Sequence, residues 1–110
     1  EAVTSLNEEI DEIEKLAFDF HRSDEFDSHA SEILIMRVSR IIRKLQRPPL
    51  QVLEIKIISL VQFRQGLTKE NVDKSTFSSK AKDSDFLNRI RAVVDELKEE
   101  IEIARDKKFK

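Results

Sequence analysis

The most apolar stretch of the chain runs from Pro48 to Gly66 and reads PPLQVLEIKIISLVQFRQG. Its two ends carry the only two prolines and the only glycine of the 110 residues. Proline has no backbone N–H but is accepted in the first turn of a helix, and glycine readily takes the left-handed conformation that ends one. The stretch therefore predicts a helix that begins at Pro49 and ends at Gly66.

Apolar residues lie nearly all round this predicted helix. On a helical wheel its main apolar arc consists of Leu50, Leu53, Ile57, Leu60 and Val61. Ile55 and Ile58 fall on the opposite face, among glutamine and glutamate. A helix that is apolar on two faces is buried or has a second surface to cover, so we predict that Ile55 and Ile58 bind a protein partner. A strand is the competing interpretation of the alternating Leu53, Ile55 and Ile57, but no second strand is available to pair with it.

Both ends of the chain carry apolar residues spaced alternately by three and four. The first series consists of Val3, Leu6, Ile10, Ile13, Ala17 and Phe20. The second consists of Leu87, Ile90, Val94, Leu97, Ile101 and Ala104. This is the spacing of a coiled-coil a/d seam, so it predicts a first helix from near Leu6 to about Arg22 and a last helix capped by Asp83 or Ser84. The two seams either pair with each other or bind another chain.

A second helix is predicted from a cap at Asp27 or Ser28 to about Gln46, where the two prolines end it. One side of this helix carries a basic stripe, made up of Arg37, Arg40, Arg43, Lys44 and Arg47. No acid lies between Glu32 and Glu54, so the stripe has no carboxylate partner one turn away on its own helix. It either pairs with the acidic first helix or binds an anion such as the phosphates of a nucleic acid.

Charge is unevenly distributed along a chain whose net charge is only −2. Residues 1–32 hold eleven acids and two bases, a net charge of −9, whereas residues 33–82 hold eleven bases and three acids, a net charge of +8. Residues 83–110 are close to neutral, with a net charge of −1. This layout favours pairing between an acidic and a basic helix, with a free basic face as the alternative.

The remaining segments complete a bundle. Gly66 is followed by one short additional helical turn, predicted from Thr68 to about Lys74, and by a flexible connection from Ser75 to Ser84. Short connections favour antiparallel neighbours. The sequence therefore predicts an all-α fold, an antiparallel four-helix bundle with one short additional helical turn, in a single domain that spans residues 1–110.

Composition excludes several kinds of functional site. A single glycine cannot build a glycine-rich phosphate loop, and a chain without cysteine has no disulfide, thiolate metal site or thiol catalysis. His21 and His29 bracket Asp24, Glu25 and Asp27, but their spacing matches no metal-binding motif. The acids fall on predicted solvent faces, where their pKa values suit no acid–base role. We therefore predict no metal, no cofactor, no catalytic residues and no enzyme activity.

These features predict a protein–protein interaction module that forms homo-oligomers through apolar helix faces. The alternative is a nucleic-acid-binding helical protein that uses the basic stripe. No apolar run of eighteen residues is present, so no membrane partner is predicted, and the absence of cysteine fits a reducing, cytoplasmic location. The first residue is Glu and not Met, which indicates a processed or excised piece of a longer chain.

Overall fold

Four α-helices and one short 3-10 helix make up the computed structural model, which describes residues 2–108. In chain order they are α1 (Ala2–Arg22), α2 (Ser28–Leu45), the 3-10 helix (Leu50–Leu53), α3 (Ile57–Thr68) and α4 (Asp85–Lys108). No strand occurs in the described part of the chain. The predicted all-α fold, a four-helix bundle with one short additional helical turn, is confirmed.

Neighbouring helices run antiparallel and form a ring. α1 contacts α2 and α4, and α3 contacts the same two helices from the other side. Between α1 and α4, Asn7 lies beside Glu102 and Asp11 beside Lys98, so later residues of α1 meet earlier residues of α4. The bundle is elongated along the helices, with dimensions of 46 × 24 × 23 Å.

The two terminal seams pair inside this ring. Every seam residue of α1 is buried, as are those of α4 from Leu87 to Ile101, and Ala104 is half-buried. Both seams join one core with the buried residues of α2, the 3-10 helix and α3. Of the two possibilities that the spacing left open, the seams pair with each other, so they leave no apolar strip for another chain.

The predicted starts of α2 and α4 are confirmed, and the predicted start of α1 is wrong. The Asp27 side chain accepts a hydrogen bond from the Ala30 N–H (3.0 Å) and caps α2, and the Ser84 hydroxyl accepts one from the Leu87 N–H (3.3 Å) and caps α4. α1 instead begins at Ala2, about one turn earlier than predicted. Its first seam residue is buried, and this burial favours the extra turn.

The stretch from Pro48 to Gly66 does not form one helix. Its first part forms the 3-10 helix, which is followed at once by Glu54, where φ is 53°. Lys56 is extended, and α3 begins only at Ile57. The Pro48–Pro49 peptide bond is cis. The left-handed conformation at Glu54 breaks the predicted helix in two and changes which residues of α3 face the core.

A side chain from α4 fixes the start of α3. Glu100 accepts hydrogen bonds from the backbone N–H of Lys56 (3.0 Å) and from the hydroxyl of Ser59 (2.7 Å). A carboxylate at a helix N-terminus satisfies free N–H groups and favours the positive end of the helix dipole. The cap of α3 is therefore supplied by a residue of another helix, and no residue near the start of α3 in the sequence predicts it.

Gly66 does not end α3. It lies inside the helix, its φ is not positive, and α3 continues to Thr68. A Cβ at Gly66 would lie 2.9 Å from a Cγ of Val93 on α4, so the glycine permits close packing of two helices. The short helical turn predicted from Thr68 to Lys74 is wrong, because the additional turn is the 3-10 helix before α3.

Candidate functional site

Large apolar side chains are exposed at several points on the bundle. In residues 2–108 they are Ile35, Met36, Val52, Ile57, Ile58 and Ile103. Ile57 and Ile58 are neighbours at the start of α3, and their exposed fractions are 71% and 58%. Ile58 was expected at the surface, but Ile57 was expected in the core, and that expectation is wrong. Ile55, the other predicted partner residue, is half-buried and packs against the core from the extended link.

On α3, Ile57 lies on the side of the helix that faces away from α4. Ser59 and Gly66 mark the α4 side, since one donates to Glu100 and the other lies against Val93. At 100° per residue, Ile57 and the half-buried Val61 lie roughly opposite both. Since α3 packs between α4 and α2, these two residues lie towards α2.

On α2 a matching pair lies on the side that faces away from α1. Arg37 and Lys44 mark the α1 side, because each contacts a carboxylate there. Ile35, which is 41% exposed, and the half-buried Ile42 lie roughly opposite them on the helix. These two therefore lie towards α3. We call the combined surface the α2–α3 face and define it by five residues, Ile35, Ile42, Ile57, Val61 and, at its outer edge three residues before Val61, the exposed Ile58.

The basic stripe of α2 is divided between paired and unpaired residues. Arg37 contacts Glu12 (3.7 Å) and Lys44 donates a hydrogen bond to Glu9, both on α1. The other three members, Arg40, Arg43 and Arg47, are exposed and contact no carboxylate within residues 2–108. Pairing between the acidic and the basic helix therefore accounts for two of the five bases.

A hollow lies at the C-terminal end of α2, beside the two prolines. Its cavity volume is about 490 Å³. The three unpaired arginines and Lys44 line one side, and the start of α1 and the Pro48–Leu50 segment line the other. The sequence predicted the basic stripe, but it could not place the prolines and α1 around it.

His21 is fully buried and belongs to a polar contact that ties a loop to the bundle. Its Nε2 donates to the Leu67 carbonyl (3.3 Å), and its Nδ1 accepts from the Asn71 side-chain amide (3.1 Å). The pKa of His21 is lowered from 6.5 to about 4, chiefly by burial and with a smaller effect of Lys80 in the same direction, against the opposing effect of the hydrogen bond to the Leu67 carbonyl. The imidazole is therefore neutral at pH 7.

The long connection over residues 69–84 is anchored at several points. Asn71 has a φ of 66°, and its side-chain oxygen accepts from the Ser78 N–H (2.6 Å). The Lys80 N–H donates to the His21 carbonyl (2.7 Å), and the Phe77 ring packs 5.4 Å from that of Phe20. The predicted flexible connection is therefore tied to the end of α1, and Phe77, the lone aromatic residue in a polar stretch, is the local signal for it.

The two histidines do not form a site together. His29 is exposed in the first turn of α2, whereas His21 faces the core. Within residues 2–108 no group of three His, Asp or Glu side chains is placed to hold a metal ion.

Glu14 is a carboxyl group with a perturbed pKa between α1 and α4. Burial raises its pKa, as do the carboxylates of Asp95 and Asp11, while Lys98 and Arg91 act in the opposite sense. The prediction that the acids lie on solvent faces is therefore wrong for this residue, which is half-buried. Its neighbours are structural residues of the two helices, so we assign it no chemical role.

None of the helices in the described range is both long enough and apolar enough to cross a membrane. Comparison with models of protein families, with curated proteins and with solved structures finds no match to this chain.

Proposed function

We propose that this protein is a non-enzymatic protein–protein interaction module that self-associates through its α2–α3 face. The proposal is carried by the consecutive Ile57 and Ile58, which expose most of their side chains although twenty other apolar residues are buried. Apolar patches of this kind on soluble proteins mark interaction sites. The absence of an enzyme activity is proposed on composition, since the chain lacks cysteine and has a single glycine.

A second copy of the chain is the partner that this face fits best. The polar residues that flank it on α2 and α3 include the uncharged Ser39, Gln65 and Thr68, and one charge of each sign, Glu32 and Arg64. A neutral surface is complementary to itself and offers little to a strongly charged partner. In a twofold dimer each residue counts twice, so a small patch gains contact area on both copies.

The expected affinity is modest. Full burial of an isoleucine side chain stabilises a complex by roughly 2 kcal/mol, and Ile35, Ile57 and Ile58 are already partly covered. Their burial in two copies therefore contributes several kcal/mol, from which the cost of association is subtracted. We therefore expect a weak dimer, with a dissociation constant of roughly micromolar order or above.

Sedimentation equilibrium across the micromolar range tests this proposal. The wild-type protein should pass from monomer to dimer, and the double variant Ile57→Lys, Ile58→Lys should stay monomeric. The matched control is Met36→Lys, because Met36 is 59% exposed but lies on the far side of α2 from its buried residues. The control should dimerise like the wild type. A wild-type protein that is monomeric throughout, or a control that loses as much association as the double variant, would exclude this face.

Nucleic-acid binding through the basic stripe stays the second proposed function. It is supported by Arg40, Arg43 and Arg47, which have no carboxylate partner among residues 2–108. The carboxylates of α1 beside the stripe disfavour a long polyanion. For the location we propose the cytoplasm, since a chain without cysteine needs no oxidising compartment.

A further inference from the structure

We infer that the hollow at the C-terminal end of α2 binds a small phosphorylated organic molecule, with Arg40, Arg43 and Arg47 contacting its phosphate groups. This site is separate from the α2–α3 face, so it extends the proposed function without resting on it.

The charge balance around the hollow is the first observation. Lys44 and Arg37 lie against carboxylates of α1, whereas the three arginines at the hollow have no such partner within residues 2–108. Arg40 and Arg43 are three residues apart on α2 and project from the same side of it, and Arg47 follows the end of the helix. All three line the same hollow, so their guanidinium groups can reach one ligand. The guanidinium group donates two parallel hydrogen bonds to a phosphate, which makes arginine well suited to this ligand.

The helix dipole explains only part of this cluster. Basic residues in the last turn of a helix favour the negative end of its dipole, and Arg43 and Lys44 occupy that turn of α2. Arg40 lies one turn earlier and Arg47 lies beyond the end of the helix. Their common feature is the hollow, which both of them line.

The walls of the hollow favour an organic phosphate over a bare ion. Beside the arginines lie the apolar side chains of Leu6, Pro48, Pro49 and Leu50. A volume of about 490 Å³ is in the range of sites for small molecules. A ligand with a ring or alkyl group next to its phosphates can therefore place the apolar part on the prolines and the charge on the arginines.

The surroundings of the hollow favour a short ligand over a polymer. α1 runs beside α2, and its Glu9 and Glu12 lie along the basic stripe, where they contact Lys44 and Arg37 and line a small hollow with Arg40. A nucleic acid that followed the basic stripe would pass these carboxylates, and their charge would repel its phosphates. A ligand of the size of a nucleotide occupies the hollow and avoids them.

Isothermal titration of the full chain with ATP, inorganic pyrophosphate and inorganic phosphate tests this inference. We expect ATP to bind with the highest affinity of the three, because only ATP can also use the apolar wall. The double variant Arg40→Gln, Arg47→Gln should bind ATP at least about tenfold more weakly, since two charge-assisted contacts are lost. Both side chains are exposed, so the helical circular dichroism of the variant should equal that of the wild type.

Arg64→Gln is the matched control, because it removes one exposed arginine from α3, away from the hollow. The control should bind ATP like the wild type. No binding of ATP at low salt, or an equal loss in the control, would overturn the inference. Equal affinities for ATP and pyrophosphate would exclude a role for the apolar wall. Binding of a single-stranded oligonucleotide that depends on Arg40 and Arg47, without binding of ATP, would show that the ligand is a polymer.

Discussion

At the scale of single residues, the buried His21 is the most informative side chain. It is held neutral between a carbonyl acceptor on α3 and an amide donor on the following connection. A proton on Nδ1 would place two donors, the imidazolium and the Asn71 amide, against each other. His21 therefore joins the end of α1 to the connection over residues 69–84 only in its neutral form.

Protonation of His21 should destabilise the fold in acid. Its pKa is about 4 in the folded protein and near 6.5 when unfolded, so between these values the unfolded chain binds more protons. The contribution of the neutral His21 side chain to the free energy of unfolding is fully present above pH 6.5 and is lost as the pH falls towards 4. The shift corresponds to about 3 kcal/mol in the free energy of unfolding. Urea denaturation at a series of pH values measures it.

Two histidine variants separate this effect from general acid denaturation. His21→Gln removes the titrating group, so its free energy of unfolding should change less between pH 6.5 and pH 4 than that of the wild type. His29→Gln changes the exposed histidine and should follow the wild type at every pH. An unchanged pH dependence in His21→Gln would contradict the assignment.

At the scale of elements, the left-handed Glu54 separates the 3-10 helix from α3. A residue with a Cβ in this conformation costs roughly 1–2 kcal/mol, which glycine avoids. The Glu54 carboxylate also lies 3.6 Å from Lys108, but this pair is exposed and contributes little. The backbone conformation at Glu54 should therefore affect the free energy of unfolding more than the ion pair with Lys108 does.

The stability of variants at Glu54 should follow how well the new residue adopts a positive φ. Glu54→Gly should be more stable than Glu54→Ala by about 1 kcal/mol, because both lack the carboxylate and only alanine has a Cβ. Glu54→Val should be the least stable, since β-branching adds strain. Urea denaturation gives the order. An alanine variant more stable than the glycine variant would show that the left-handed conformation is not maintained at this position.

The contact between α3 and α4 is set by Gly66 and Val93. A Cβ at Gly66 would approach two methyl carbons of Val93 to 2.9 and 3.2 Å, and valine has little rotamer freedom in a helix. Gly66→Ala should therefore lower the free energy of unfolding by about 1–2 kcal/mol, although alanine is the better helix former.

A double-variant cycle tests this explanation. In a Val93→Ala background the two closest contacts, at 2.9 and 3.2 Å, are removed and only the Cβ of residue 93 remains, at 3.3 Å. Adding Gly66→Ala should then stabilise the protein by up to about 1 kcal/mol through helix propensity. The sign of the Gly66→Ala effect should therefore reverse between the two backgrounds. The same loss in both backgrounds would exclude close packing as the reason for the glycine.

At the scale of the whole molecule, the ring of helices decides which apolar surface is left for a partner. The seams of α1 and α4 pack against each other. The contact between α2 and α3 is less extensive than those between the other neighbouring α-helices. The predicted dimer should therefore stabilise the fold by mass action, so the melting temperature should rise with protein concentration. The Ile57→Lys, Ile58→Lys variant should show no such rise, and a wild-type melting temperature independent of concentration would contradict the dimer.

Much of the fold could be predicted because its signals are local or periodic. The seams of α1 and α4 repeat over many residues, and Asp27 and Ser84 cap helices through bonds to N–H groups three residues away. The charge blocks predicted that α1 and α2 could pair, as Glu9 and Lys44 do. For the seams and the caps, the residues that produce the structure lie close together in the chain, and the charge blocks extend over whole helices.

The candidate sites depend on contacts between distant residues, so the sequence predicted them only in part. Ile58 was identified as exposed, but Ile57 was not, because the face of α3 depends on where the helix begins. That start depends on the carboxylate of Glu100, which is 44 residues from Lys56. Likewise, the five bases of α2 were evident, but only the position of α1 determines which two are paired.

Composition and periodicity therefore determined by themselves that this chain forms helices, where most of them lie and that it has no thiol chemistry. The tertiary structure alone decided the break at Glu54, the exposure of Ile57 and the hollow beside Arg40 and Arg47. The physical reason is that burial, a cap from another helix and charge pairing depend on neighbours in space. A linear pattern specifies the faces of each helix but not which of them the packed bundle will cover.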